Sequence, residues 1–238
     1  MSKLFIIGTP IGNLEDITFR ALRTLKEVDV LACEDTRVTT KLLAHFGIEN
    51  KRLITYNNFT EKQSTKGILQ LLEQGQNIGL VSDAGMPAVS DPGFELIKQA
   101  REHNFDIEII PGVSASITAF VGAGFSNEFT FLGFLKDKSS QRQSQLKNLD
   151  FGTYVFYVSP HKLKKSLEDI DQVFGGLEKI CLVKELTKVY ERWFFGTAKE
   201  ILTTLKLENL IKGEFTMVLH LSKPKKEKTN KYAHLRGK

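Results

Sequence analysis

Apolar residues in the first half of the chain fall into short runs, at positions 4–7, 28–33, 52–56, 77–81 and 106–110. Between the runs they recur every three or four positions. Val38, Leu42 and Phe46 share one helical face, and Gly47 follows as a stop. Ile68, Leu69 and Leu72 do the same before Gly75, and Phe94, Ile97 and Ala100 repeat the pattern. Short runs read as strands and three-to-four spacing as amphipathic helices. Their alternation predicts crossover connections and a mostly parallel sheet covered by helices. The pattern changes near residues 121–127, where Gly122 and Gly124 loosen the chain. Strand-like runs follow at 128–133, 153–158, 179–183, 191–195 and 215–220, with a helix carrying Leu163, Leu167, Ile170 and Val173 between two of them. The short step from 179–183 to 191–195 predicts mixed pairing. The expected class is therefore α/β in two lobes, residues 1–115 with a mostly parallel sheet and 116–222 with a mixed one, joined near 115–125.

Charge sharpens this division. The chain carries +5 overall, yet seven Lys or Arg and a single acid lie between Lys223 and Lys238, so the body is close to neutral. Residues 223–238 form a basic tail, expected to be disordered and suited to phosphate backbones. No apolar run approaches the roughly 18 residues that a bilayer crossing needs. The short first run has no cleavage site behind it and reads as a strand, so a cytoplasmic protein is expected. Cys33 and Cys181 sit far apart inside apolar runs and read as buried thiols.

Five of the six prolines, Pro10, Pro87, Pro92, Pro111 and Pro160, follow closely on an expected strand, with glycines beside them. Loops at strand carboxyl ends form the binding crevice of open α/β sheets. Glycine admits close approach there and proline fixes loop shape. Neither a phosphate-loop nor a dinucleotide-binding glycine pattern is present, and the histidines and cysteines lack metal-ligand spacing. An organic cofactor fits this inventory better than a metal ion or a phosphate-driven reaction.

A series of motifs carries a family resemblance: Gly8-Thr9-Pro10-Ile11-Gly12-Asn13-Leu14, Cys33-Glu34-Asp35-Thr36-Arg37, Ser82-Asp83-Ala84-Gly85-Met86-Pro87 with Asp91-Pro92-Gly93, Pro111-Gly112-Val113-Ser114-Ala115, Lys184-Glu185-Leu186-Thr187-Lys188 and Lys212-Gly213-Glu214. The chain resembles the ribosomal RNA small subunit methyltransferase I family over nearly its whole length outside the tail. The resemblance implies a tetrapyrrole methylase-like fold with the cofactor cleft between two lobes, usually in a homodimer. It implies transfer of methyl from S-adenosylmethionine to the ribose 2′-oxygen of a decoding-centre cytidine in 16S rRNA of the small ribosomal subunit, without a metal. Met86, Val113, Val158 and Lys162 depart from the family's usual residues.

Carried over motif by motif, the cofactor site comprises Pro10 and Ile11, then Asp83, Ala84, Gly85, Met86 and Val89, then Ser114 and Ala115. Tyr157, Leu186, Gly213 and Glu214 complete it from the second lobe. A 2′-hydroxyl needs a proton acceptor within hydrogen-bond reach. Glu34, Asp35, Glu185 and Lys188 are the candidates for that chemistry, and Lys184 and Glu191 lie beside them. Arg37, Lys184, Lys225, Lys226 and Lys228 are candidate RNA contacts. For Glu34-Asp35-Thr36-Arg37 a helix cap with a salt bridge is the structural alternative. Two other functions fit less well: methylation of a tetrapyrrole or other small molecule, and a non-catalytic RNA-binding assembly factor.

Overall fold

The computed structural model describes residues 2–223. The first lobe runs β1 (Lys3–Ile7), α1 (Phe19–Glu27), β2 (Val30–Cys33), α2 (Thr36–His45), β3 (Arg52–Thr55), α3 (Glu61–Glu73), β4 (Ile78–Val81), α4 (Phe94–Glu102) and β5 (Asp106–Ile110). Every strand pairing is parallel, in the order β3-β2-β4-β1-β5. Successive side chains of a strand point to opposite faces. On β1, Leu4 and Ile6 therefore join the core that includes Ile68, Leu72, Leu96 and Ala100 of α3 and α4. Ile7 joins Leu25 and Leu43 of α1 and α2 on the other face. Both faces being covered, β2 and β4 are buried at every position, which is why they read as continuous apolar runs.

Two helices turn differently from the expected face. In α2 the buried positions are Thr39 and Leu43, while Val38 is exposed and Leu42 only half-buried. In α4 Ala100 is buried and Ile97 packs on the core as expected, but Leu96 is buried with them and Phe94 is exposed. Apolar spacing locates a helix but does not say which neighbouring stripe meets the sheet. Helix α1, which the apolar pattern did not announce, starts where the Thr18 side chain accepts from the Ala21 amide at 3.0 Å.

The expected junction near 115–125 holds helix α5 (Ala115–Ala123). Gly124 ends it in the left-handed conformation (φ 62°). Gly122 lies where a β-carbon would come within 2.2 Å of the Trp193 ring. The glycine that looked like a loosening device is there for packing. The second lobe continues with β6 (Thr130–Phe134), α6 (Ser139–Lys147), β7 (Gly152–Val158), α7 (Pro160–Phe174), β8 (Glu178–Lys184), β9 (Arg192–Gly196), α8 (Ala198–Leu207) and β10 (Phe215–Leu221). Its sheet is mixed, in the order β6-β7-β10-β8-β9, with β6 parallel to β7 and the other pairs antiparallel. Leu163, Leu167 and Ile170 of α7 pack on one face. Ala119 and Ala123 of α5 pack on the other with Val155, Val183 and Val218, and this cluster takes in Ile11 of the first lobe. Cys33 and Cys181 are buried and free.

Candidate active site between the two lobes

The parallel sheet sends the ends of β1, β4 and β5 to one edge. There the segments after β1 and β4 are laced together: Thr9 N donates to Gly85 O (2.9 Å), and Gly85 N to Thr9 O (3.2 Å). In the second sheet β10 runs antiparallel to both β7 and β8, with Phe215 opposite Val158 and Lys184. That register gathers three segments at one edge: residues 159–160, 185–191 and 213–214. The two edges meet. Asn13 N donates to Thr187 Oγ1 (3.1 Å). Gly12 lies so close that a β-carbon there would be 2.5 Å from Lys188 Cγ and 2.7 Å from Thr187 Oγ1.

Backbone strain gathers at the same place. Among the described residues seven non-glycine residues have positive φ. Asn50, Asn104 and Asn209 belong to the type that tolerates it best. The other four are Ala88 and Ser90 after β4, and Glu185 and Thr187 after β8. A β-branched threonine at φ 65° is a strong departure, and strain of this kind clusters at functional sites.

Between the lobes lies a cavity of about 380 Å³. The first lobe lines it with Ile11, Ala84, Gly85, Met86 and Val89, and with Ser90 and Asp91. Ser114 and Ala115 stand at the start of α5. The second lobe adds Phe134, Tyr157 and Val158, then Ser159 and Pro160, and Leu186, Glu214, Phe215 and Thr216. Among the described residues the walls hold two carboxylates, Asp91 and Glu214, and no basic side chain. Burial, then the negative charge of Glu34, pushes the Asp91 carboxyl up to about 6. Burial also raises the Tyr157 phenol, against hydrogen bonding with Ser116.

A second cavity of about 520 Å³ adjoins the first and shares Ile11, Ala84 and Glu214 with it. Thr9, Pro10, Gly12 and Leu14 form one wall; Val38, Thr39, Lys41 and Leu42 of α2 form another. Ser82, Asp83 and Lys188 complete it. Lys188 Nζ donates to Glu214 Oε2 at 2.8 Å and lies 3.3 Å from Glu185 Oε2. Burial pulls its ammonium down, but the bonds and charges of Glu214 and Glu185 outweigh that and hold it above the usual lysine range. A lysine held charged in this way donates to the two carboxylates beside it. Glu185 accepts from Glu214 N at 2.6 Å, and its carboxyl is held low. Burial opposes that shift, but the Glu214 amide and Lys188 outweigh it.

The remaining expected residues are placed as follows. Gly213 precedes Glu214 in the turn against Glu185. Lys184 ends β8 and its charge acts on Glu185. Glu191 is committed to the Thr187 amide and the Trp193 indole. Asp35 caps α2 through the Arg37 amide (2.8 Å) and pairs with the Arg37 guanidinium (2.6 Å), the structural alternative for this motif. Those bonds hold its carboxyl down at about 2. Glu34 lines neither cavity; burial, then the charge of Asp83, raises its carboxyl. Lys162 pairs with Asp137. Lys225, Lys226 and Lys228 lie outside the described residues. Sequence reasoning missed Ser90, Asp91, Phe134, Ser159, Phe215 and Thr216 as wall residues. Asp91 stood inside a quoted motif, but the register that brings Phe215 beside Val158 has no local signature.

The family of Tetrapyrrole (Corrin/Porphyrin) Methylases matches residues 3–202. The chain is 50% identical over 222 residues to the ribosomal RNA small subunit methyltransferase I of Mycoplasmopsis pulmonis, covering 93% of this chain and 99% of that one. It is 44% identical over 229 residues to the protein of the same name from Escherichia coli O157:H7, covering 94% and 80%. Among solved structures, diphthine synthase superposes with a TM-score of 0.70 at 18% identity, covering 92% of this chain and 90% of that one. A uroporphyrin-III-C-methyltransferase from Thermus thermophilus gives 0.66 at 19%, covering 92% and 94%. At such identity these structures speak for the fold.

Proposed function

The chain belongs to the ribosomal RNA small subunit methyltransferase I family, and from that premise we propose that it moves a methyl group from S-adenosylmethionine to the ribose 2′-oxygen of a decoding-centre cytidine in 16S rRNA. The observation that carries the cofactor assignment is the chemistry of the smaller cavity. Among the described residues it offers two carboxylates, no basic side chain and small residues at Ala84, Gly85, Ser114 and Ala115. Such walls suit an uncharged aromatic group joined to a cationic sulfonium and an ammonium, and disfavour a phosphate-bearing cofactor. Asp91 and Glu214 would face the positive groups. The backbone of residues 83–86 and 114–115 would hold the polar edges, and Ile11, Val158 and Leu186 would keep the cavity dry. When bound, S-adenosylmethionine supplies an electrophilic methyl group open to in-line displacement.

The protein's own contribution is position and charge. Glu214 lines both cavities, which supports its carboxylate as the group that takes the proton from the acceptor hydroxyl. Lys188 stays charged between Glu185 and Glu214, fixes the orientation of Glu214, and steadies negative charge growing on the oxygen. The same reading makes the substrate the small ribosomal subunit in the cytoplasm. Among the described residues no helix is long and apolar enough to cross a membrane.

The same reading makes the working unit a homodimer. Its support is exposed apolar surface: Ile117 and Val121 on the outward side of α5, and Phe195 stacked on Trp193, whose ring lies against Gly122 of the same helix. The functional reading is tested by incubating the protein with labelled S-adenosylmethionine and small subunits lacking the modification, then mapping the label by nuclease digestion. Label on the ribose of a decoding-centre cytidine is expected. Unlabelled RNA with cofactor bound would contradict it.

A further inference from the structure

We propose that the larger cavity is the pocket for the acceptor nucleotide, with its base packed on the outward stripe of α2 and its phosphate held by Lys41. The proposal rests on the methyltransferase reading of the cleft and adds to it the residues that grip the RNA.

The first argument is an unspent apolar stripe. The core of the first lobe takes Leu43 from α2, and this leaves Val38 and Leu42 to line the cavity with Leu14 and Pro10. On an ordinary surface helix these positions would be polar. Apolar side chains lining a slot suit the faces of a planar base. The second argument is charge. Among the described residues the ion pairs around the cleft join Asp35 to Arg37 and Lys188 to Glu185 and Glu214, and Lys41 is in none of them. An exposed lysine lining an apolar slot complements a phosphate.

The third argument is continuity. The cavity meets the cofactor cavity at Ile11, Ala84 and Glu214, so a ribose seated at that junction presents its 2′-oxygen to the methyl group while the base lies away from it. A slot of about 520 Å³ has room for one nucleotide, whose base reaches it by leaving its stack, as bases do for other enzymes that modify single nucleotides.

The test uses the full-length protein with Val38→Asp and Lys41→Ala, both surface positions. Initial rates of methyl transfer are measured against small-subunit concentration at saturating S-adenosylmethionine. Calorimetry gives the cofactor Kd of each variant, and thermal unfolding confirms its fold. Val38→Asp is expected to raise the KM for subunits by about tenfold, corresponding to ~1.4 kcal/mol, with the cofactor Kd unchanged within about twofold. Lys41→Ala is expected to raise KM and to flatten the dependence of log KM on log salt by about one phosphate contact. If the wild type labels RNA and both variants keep its KM, the pocket assignment is overturned alone. If Val38→Asp weakens cofactor binding as much as subunit binding, the cavity belongs to the cofactor and the assignment is again overturned. A wild type that binds cofactor but leaves RNA unlabelled overturns the functional reading, and the pocket assignment with it.

Discussion

The two cavities share three residues and almost nothing else. One is walled by both lobes, carries carboxylates without a basic side chain among the described residues, and is floored by small residues. The other is walled largely by the first lobe, sets Lys41 and Lys188 beside the carboxylates Asp83 and Glu214, and opens against an apolar helix stripe. The first therefore suits a cationic group, and the second offers the ammonium groups that a phosphate chain needs. The boundary between them is Glu214, held by Lys188 on one side and tied to Glu185 through its amide.

The largest disruption should come from forcing the lobes apart. A valine at Gly12 must displace Lys188 and Thr187. Because a misplacement of about 1 Å can cost around a hundredfold, Gly12→Val should lower kcat/KM by at least about a hundredfold in a methyl-transfer assay. Lys188→Ala attacks the boundary itself. It leaves Glu214 without its cation, and kcat should fall by roughly 30- to 100-fold, in the range of removing one positioned electrostatic group. Calorimetry should find cofactor affinity nearly intact, and Lys188→Arg should restore part of the rate.

A smaller effect, confined to the acidic side, is expected from Asp91. Its carboxyl titrates near 6 in the folded protein, and only the ionised form attracts a cation. Cofactor affinity should therefore rise as pH increases from about 5 to 7 and level off above. Asp91→Asn should flatten that profile and weaken binding at pH 8 by about tenfold. The same shift has a stability sign. A carboxyl raised above its unfolded value binds more protons in the folded state, so its contribution to stability diminishes as pH rises from about 4 to 6. Chemical denaturation of the cofactor-free protein should show Asp91→Asn losing that slope.

Much of this was legible in the sequence, and the parts that were not share a cause. The strand runs and the proline-bearing loops after β1 and β4 announced themselves, because covered parallel strands are apolar throughout and loop shape is written locally in Pro and Gly. Ile11, Ala84 and Leu186 could be named as wall residues from their motifs. Phe215 and Thr216 could not, since their place depends on pairing with residues more than 25 positions away. The α2 stripe was seen but assigned to the core: Val38 and Leu42 have the spacing of core residues, and only the sheet shows that Thr39 and Leu43 fill that role. Gly122 was taken for a flexible joint because a sequence does not display the Trp193 ring that lies against it. Lys188 was visible as a reactive lysine, but its charge state is set by two carboxylates, one of them on a separate turn.

The division of labour between the cavities is tested most directly by crossing two variants with two constants: the cofactor Kd and the KM for small subunits, measured for Asp91→Asn and Val38→Asp under one set of conditions. The account predicts a crossed result, with Asp91→Asn raising the first constant by about tenfold and leaving the second near its wild-type value, and Val38→Asp doing the reverse. Two variants that move the same constant would contradict it and would make the cleft a single site.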